Sequence, residues 1–409
     1  MRFEIIRDPL WNNIRVDAFS MRLVDTCAFQ RLRYVRQLGL AYLVYPGATH
    51  SRFEHALGTY HLARKTIALL EERGELGSLP EDEPTIIYAA ALLHDIGHYP
   101  FSHALEEIGA LHHENVAGPL ITRDEIGDLL NQELGAGAAQ RVHALVTGKS
   151  DSALQGLISG SLDLDKIEYL KRDALMCGVP YGEVDVDRLT NSMVVVRDPA
   201  SGALRIGVAE KALAAIESLL FAKYQMYRNV YWHHAVRSAT AMYKRIVDDA
   251  LRSRAIRSDE LGTFTDEGLL HRLEPAGSPV LSALRERRLY KRAAEWPAVA
   301  LDEGFGDWIA EDRERVVDIE DSLARKAGLA PGELLLDYPL KTQMLGLDLP
   351  VVRRDGTVER LTDSGWKGTI DLPSLSDQLY RSTRWLRVFT ARAITLDRDT
   401  VMQTITEGG

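Results

Sequence analysis

The chain has 409 residues, 45% of them apolar and 26% charged, which is the make-up of a soluble globular protein with room for two or more lobes. Against 49 lysines and arginines stand 59 acids, a net charge of −10; this argues against a protein that coats duplex DNA, since neutralising phosphates takes clustered cations, and leaves only a local basic pocket open. Two cysteines, Cys27 and Cys177, exclude a disulfide framework and fit a reducing cytoplasm, and without a signal-peptide core or an apolar run of about 18 residues no membrane is expected.

Most of the first 250 residues read as helix. "SRFEHALGTYHLARKTIALLEERG" opens with Ser51 and Glu54 in capping-box spacing, carries the apolar stripe Ala56, Tyr60, Ala63, Ile67 and Leu70, and stops at Gly74. His55 lies beside that stripe. "EPTIIYAAALLHDIGH" starts a helix at Pro84 and is apolar nearly all round, which marks a buried helix whose polar end, His94 and Asp95, emerges from the interior. Five of the twelve histidines crowd into the window 94–113. "MVVVRDPASGALRIGVA" predicts a hairpin turning at Pro199 to Gly202, and one helix is expected from about Lys211 to Arg252. Composition shifts near 253–268 into shorter helices lasting to about 330. Beyond them "LPVVRRDGTVERLT" predicts a hairpin at Asp355-Gly356 and "WLRVFTARA" a strand. The expected fold is mainly α, with a core over 1–255, a helical extension over 256–330 and a small α+β lobe over 331–409; there is no internal repeat.

The histidine-rich window carries the chemistry. Neutral imidazole and carboxylate are the usual ligands of a borderline divalent ion such as Mn, Fe, Ni or Zn, and mixed sets leave positions open for water. His94 and Asp95 are adjacent, so a regular helix would point them roughly 100° apart; a helix end followed by Gly97 relaxes that. Further ligands must come from elsewhere, and His55 and an acid of "SGSLDLDKIEYLKRD", with Asp165 favoured, have suitable surroundings. There Leu162, Leu164, Ile167 and Leu170 interleave with Asp163, Asp165 and Asp173. Each feature has a plain structural reading: a chance His-Asp pair, a hydrogen-bonded helix histidine, solvated acids at a helix start. Their joint occurrence favours the metal.

The block order "PGATHSRFEHALGTYHLA", "ALLHDIGHYPFSHALE", "HHENV", "LDLDKIEYLKRDALMCGV" resembles the HD-domain deoxynucleoside triphosphate triphosphohydrolases, which include bacterial enzymes and a vertebrate member carrying a sterile-alpha-motif domain. The likeness begins at "RDPLWNNIRVD" and fades between about 275 and 380. It implies an HD-domain helical core and a metal held by His55, His94, Asp95 and Asp165, which would supply hydroxide for attack on the α-phosphorus of a deoxynucleoside triphosphate, giving deoxynucleoside and intact triphosphate. It further implies His103 as the proton donor to the leaving 5′-oxygen, His98 and His113 as phosphate-contacting or proton-handling groups, and Glu114 as their orienting partner. Arg52, Lys166 and Arg228 match phosphate-binding positions, with Mg²⁺ bridging phosphate oxygens. Tyr169 and Asp173 match sugar contacts, and Gln37 and Leu38 match residues beside the sugar and base, although a buried turn explains that pair equally well. Asp25, Gln30 and Arg33 match an allosteric nucleotide segment, but Glu4 stands where a lysine is expected; Val236 stands where the vertebrate relative has a tyrosine. A homo-oligomer, dimer or tetramer, is implied.

Two other classes compete. One is another HD phosphohydrolase acting on nucleoside monophosphates, cyclic nucleotides or guanosine polyphosphates. The other is a noncatalytic oligomer of the same scaffold that binds single-stranded nucleic acid; an intact ligand set and an acidic balance count against it.

Overall fold

The computed structural model describes residues 3–302, 305, 307–310, 312–339, 347–361 and 372–407. The chain opens with an antiparallel hairpin, β1 (Phe3–Asp8) and β2 (Asn12–Asp17). α1 (Arg52–Glu72) starts where its spacing predicts, with the reciprocal Ser51–Glu54 capping box formed. Ala56, Tyr60, Ala63, Ile67 and Leu70 are all buried. α2 (Glu83–Leu93) carries Pro84 in its first turn and buries Ile86, Ile87 and Ala89 to Leu93, ending at His94 as its C-cap. α3 (His113–Thr122) and α4 (Leu164–Cys177) follow. Asp163 is the N-cap of α4 and accepts the Lys166 N–H, so of the two neighbouring acids it is the one that serves the helix start. α1, α2 and α4 share one large apolar core.

The predicted hairpin forms as β3 (Met193–Arg197) and β4 (Leu204–Ala209). The single helix expected from Lys211 to Arg252 is instead two. α5 (Leu213–Met226) runs into a π-turn at Tyr227–Tyr231, and α6 (His234–Arg252) restarts beyond Trp232. The cause lies in "YRNVYWHH", where Trp232 buries itself edge-on to Tyr227 and Tyr380. His233 leaves the helix with ψ 132° and accepts the Ala235 N–H on Nδ1, capping α6.

A strand also appears inside the stretch expected to be helical. β5 (Lys291–Pro297) precedes α7 (Arg313–Lys326), β6 (Leu334–Asp337), β7 (Leu349–Val352), β8 (Val358–Leu361) and β9 (Trp385–Thr390). β9 is the central strand of a β5-β9-β6 sheet and supplies the partner that makes β5 a strand, bulged between Arg292 and Ala294. The hairpin β7–β8 forms as predicted at 353–357 but joins β4 in parallel, giving the order β3-β4-β7-β8. α7 packs on β6, burying Val316, Ile319 and Leu323. Among the described residues the fold is mainly α with three small sheets beside the helical core.

Candidate metal centre

His55 lies one turn inside α1 and is fully buried. Its Nδ1 is 2.6 Å from Glu168 Oε2, which turns Nε2 inward. His94 ends α2 with Nδ1 2.9 Å from the Ala91 carbonyl, so its Nε2 also faces the centre. From His55 Nε2 the distances are 2.9 Å to Asp165 Oδ1, 3.2 Å to His94 Nε2 and 3.6 Å to Asp95 Oδ2. His94 Nε2 is 3.4 Å from Asp95 Oδ1 and 3.7 Å from Asp165 Oδ1. His55, His94 and Asp95 thus come close enough to share one ion, as ligands about 2.0–2.2 Å from it would, and Asp165, from a third segment, reaches both histidines. The charge agrees. Burial would lower the His55 pKa, yet hydrogen bonds to Asp165 and Glu168 lift it to about 10. Burial would raise Asp165, yet His55 and His94 hold it well below the usual carboxylate range. Asp95 is likewise held down against burial, by Arg52, His94 and His98. The imidazolium groups and Arg52 are thus the countercharges of these carboxylates; a divalent ion would replace the two imidazole protons, and neutral imidazole with carboxylate is a donor set that fits such an ion.

Beside this centre lies a second group, His98, His103, Glu106 and His113. His98 Nε2 is 3.2 Å from Asp95 Oδ1, and its ring stacks on His113 at 3.8 Å and 15°. Stacked parallel rings aim their nitrogen lone pairs side by side, which suits proton handling better than sharing an ion. Burial pushes both imidazoles below their ordinary pKa. Glu106 Oε1 is 2.8 Å from His113 Nδ1 and Oε2 is 3.2 Å from His103 Nδ1. Against burial, these two hydrogen bonds hold the Glu106 carboxyl far below the carboxylate range. Glu106 therefore takes the place expected for Glu114, which instead stands 3.7 Å from His112 Nδ1. Glu114 lies near His112 and His113 without a hydrogen bond to either, whereas Glu106 shares the 3-10 segment Ser102–Ile108 with His103 at i+3 and bonds both His103 and His113. Gly97 makes the stack possible, since a Cβ there would come within 2.1 Å of the His113 carbonyl oxygen. Phe101 and Ser102 adopt left-handed φ of 57° and 64°, strain held by Asp266, which accepts the Phe101 N–H at 2.8 Å.

Residues 52–161, which hold His55, His94, Asp95 and the stacked histidines, match the HD domain, and residues 184–365 match the HD associated region. An uncharacterised protein of Methanocaldococcus jannaschii is 32% identical over 341 residues, 82% of this chain and 69% of that one. This chain belongs to the HD-domain phosphohydrolase superfamily. The deoxynucleoside triphosphate triphosphohydrolase SAMHD1 homolog of Dictyostelium discoideum is 29% identical over 314 residues, 70% of this HD chain and 59% of its own length. A crystal structure of a hypothetical protein from Aquifex aeolicus superposes with TM-score 0.72 at 27% identity, covering 99% of this chain and all of that one. The alignments thus span from over half to about two thirds of the two relatives' own lengths.

The other expected residues of the HD site fall in several places. Arg52 is buried, gives Nη1 to Asp95, and donates to Ser102 Oγ from Nε at 3.1 Å and Nη2 at 2.9 Å. Lys166 donates to Asp163 and, at 2.9 Å, to the Gly160 carbonyl. Asp173 is buried with Oδ1 2.7 Å from His50 Nε2 and Oδ2 accepting from Tyr231 at 2.8 Å; Tyr169 lies edge-on to Tyr231. Arg228 is exposed on the π-turn and donates to the Tyr224 hydroxyl at 2.7 Å. Gln37 is buried with an unpartnered Oε1, and Leu38 is half-buried. Gln30 accepts from Arg33 Nε at 2.7 Å on a different, N-terminal patch, and Asp25 is exposed there. Sequence reasoning missed Glu106, Glu168, His50 and Tyr231. The "SHALE" spacing could have pointed to Glu106; nothing local marks the others. Among the described residues, no helix is long and apolar enough to cross a membrane.

Proposed function

We propose that this HD protein hydrolyses deoxynucleoside triphosphates to deoxynucleoside and inorganic triphosphate, with a divalent transition ion, Mn, Fe, Ni or Zn, held by His55, His94, Asp95 and Asp165. The convergence of those four side chains carries the reading. When bound, the ion supplies Lewis acidity and hydroxide near neutral pH. The rest falls to the chain. Attack forms a new P–O bond at the α-phosphorus while the bond to the 5′-oxygen breaks, so the leaving oxygen needs a proton. His103 gives it: it is the most exposed imidazole of its group, and Glu106 orients it. The neutral, stacked His98 and His113 keep their single N–H groups for Asp95 and Glu106, so each presents an unprotonated nitrogen and serves proton handling at this edge of the site. Arg52, Lys166 and Arg228 surround the triphosphate with Mg²⁺, because the developing charge is stabilised by fixed cations. Asp173, oriented by His50 and Tyr231, accepts from the 3′-hydroxyl, and the Tyr169 ring packs under C2′, where a ribose hydroxyl would collide. The likeness to the Dictyostelium deoxynucleoside triphosphate triphosphohydrolase homolog supports the substrate class. Homo-oligomerisation, as dimer or tetramer, belongs to the same proposal.

The test is product identity. Purified protein with Mn²⁺ and each deoxynucleoside triphosphate is expected to release inorganic tripolyphosphate and deoxynucleoside. Asp95→Asn, which keeps an acceptor for the buried Arg52, is expected to lose bound metal and turnover while staying folded. Release of pyrophosphate or monophosphate, or full turnover by Asp95→Asn, would reject the proposal.

A further inference from the structure

Lys223 lies on α5 just before the π-turn and is only 8% exposed. Its helix packs on α4, and the charged groups that act on it are Lys166, Asp163 and Asp165. A buried ammonium is rare unless an anion pairs with it, because its hydration is lost. Neither acid is free to do so. Asp163 already accepts from the Gly160 and Lys166 N–H groups and from the Lys166 ammonium. Asp165 faces His55 and His94. Among the described residues no hydrogen bond or ion pair reaches the Lys223 ammonium, yet it is absent from the sealed, unpartnered polar atoms and so keeps access to solvent. Burial and the neighbouring Lys166 lower its pKa to about 8. It still carries its proton at neutral pH.

Lys223 thus lies on a helix packed against the one that carries Lys166 and Asp165, near enough to feel their charges, and among the described residues its ammonium has no acceptor. An anion arriving from solvent completes that arrangement. We propose that Lys223 is a further substrate-binding residue which, together with Lys166, holds the far part of a phosphate chain, so that the site reads a polyphosphate rather than a single phosphate. The proposal rests on the nucleotide reading above for the identity of that substrate. Selectivity follows from position. Lys223 makes no ion pair with Asp165, so on this proposal a single phosphate is held at the ion and a chain of phosphates reaches on to Lys223.

The test titrates inorganic tripolyphosphate and, separately, orthophosphate into the full, metal-loaded chain by calorimetry. Lys223→Met, which keeps length and apolar packing, is expected to weaken tripolyphosphate binding by about tenfold or more, the usual loss for a charge-assisted hydrogen bond. Orthophosphate affinity and metal content are expected to stay at wild-type values, and Lys223→Arg is expected to recover most of the tripolyphosphate affinity. Unchanged tripolyphosphate binding by Lys223→Met overturns the proposal; so does an equal loss for both anions, which marks a general or packing effect. The two readings separate cleanly. A wild-type chain that binds tripolyphosphate through Lys223 but releases none from deoxynucleotides sinks the nucleotide reading alone, and release by wild type with an indifferent Lys223→Met sinks the role of Lys223 alone.

Discussion

His55 has one nitrogen for the metal centre and one for the protein, and Glu168 decides which is which. The carboxylate sits 2.6 Å from Nδ1, which holds the proton there and leaves Nε2 as the donor. Glu168 is itself fully buried, accepting from Trp11 Nε1 at 2.9 Å and Arg172 Nε at 2.8 Å, while Arg172 Nη1 reaches Asp8 at 3.0 Å. The N-terminal hairpin therefore braces His55 through Glu168 and Arg172. Gly58 leaves room for this, since a Cβ would fall 2.0 Å from Glu168 Oε1. Glu168→Gln is expected to lower metal affinity roughly ten- to a hundredfold, measured by competition with a chelator, as loss of such outer partners commonly does. Unchanged affinity would show that the carboxylate serves Arg172 alone. In sequence Glu168 is one more acid on an amphipathic helix, whereas His94 and Asp95 announce themselves by ending a helix that is otherwise apolar.

The break between α5 and α6 turns on one imidazole. His233 Nδ1 must be unprotonated to accept the Ala235 N–H. Burial lowers its pKa to about 4, helped by His234, Arg387 and Arg292, against roughly 6.5 in an unfolded chain. Between those values the unfolded state binds more protons, so this contribution to stability is present above about pH 6.5 and is lost as pH falls toward about 4. His233→Asn keeps a capping acceptor that cannot titrate. Its urea midpoint is expected to fall less than that of the wild type over this pH range, and parallel profiles would remove His233 from the acid response. Helical periodicity ran unbroken through this stretch, because a π-turn changes the backbone without changing which residue types line the core. β5 escaped for a related reason: "KRAAEWP" has no strand alternation of its own and becomes a strand only by pairing with β9.

A buried charge cluster ties the helical core to the β5-β9-β6 sheet. Arg237 of α6 donates to both Glu107 oxygens at 2.9 and 2.8 Å and, from Nε, to Asp337 of β6 at 2.9 Å; Lys244 adds a bond to Glu107 at 2.8 Å. Glu107 follows Glu106 on the 3-10 segment that carries His103, so this cluster and the histidine group are fixed to one short segment. Removing one member leaves an uncompensated charge in the interior. Asp337→Ala is expected to cost about 3–5 kcal/mol in urea unfolding, whereas Asp337→Asn, which keeps an acceptor, should cost less. Equal, small losses would show that water replaces the carboxylate.

Ligand types, their order along the chain, the buried α2 and the capped start of α1 were all readable without coordinates, because helical periodicity, capping and ligand chemistry act over a few residues. The convergence of His55, His94, Asp95 and Asp165 was implied by resemblance and became geometry only in three dimensions. Tertiary structure alone decided that Glu106 rather than Glu114 hydrogen-bonds His103 and His113, that Asp163 caps the helix on which Asp165 meets the histidines, and that among the described residues Lys223 has no acceptor. The physical reason is direction: each helical residue points roughly 100° from the last, so which of two neighbouring acids meets a partner depends on how whole helices are turned against one another.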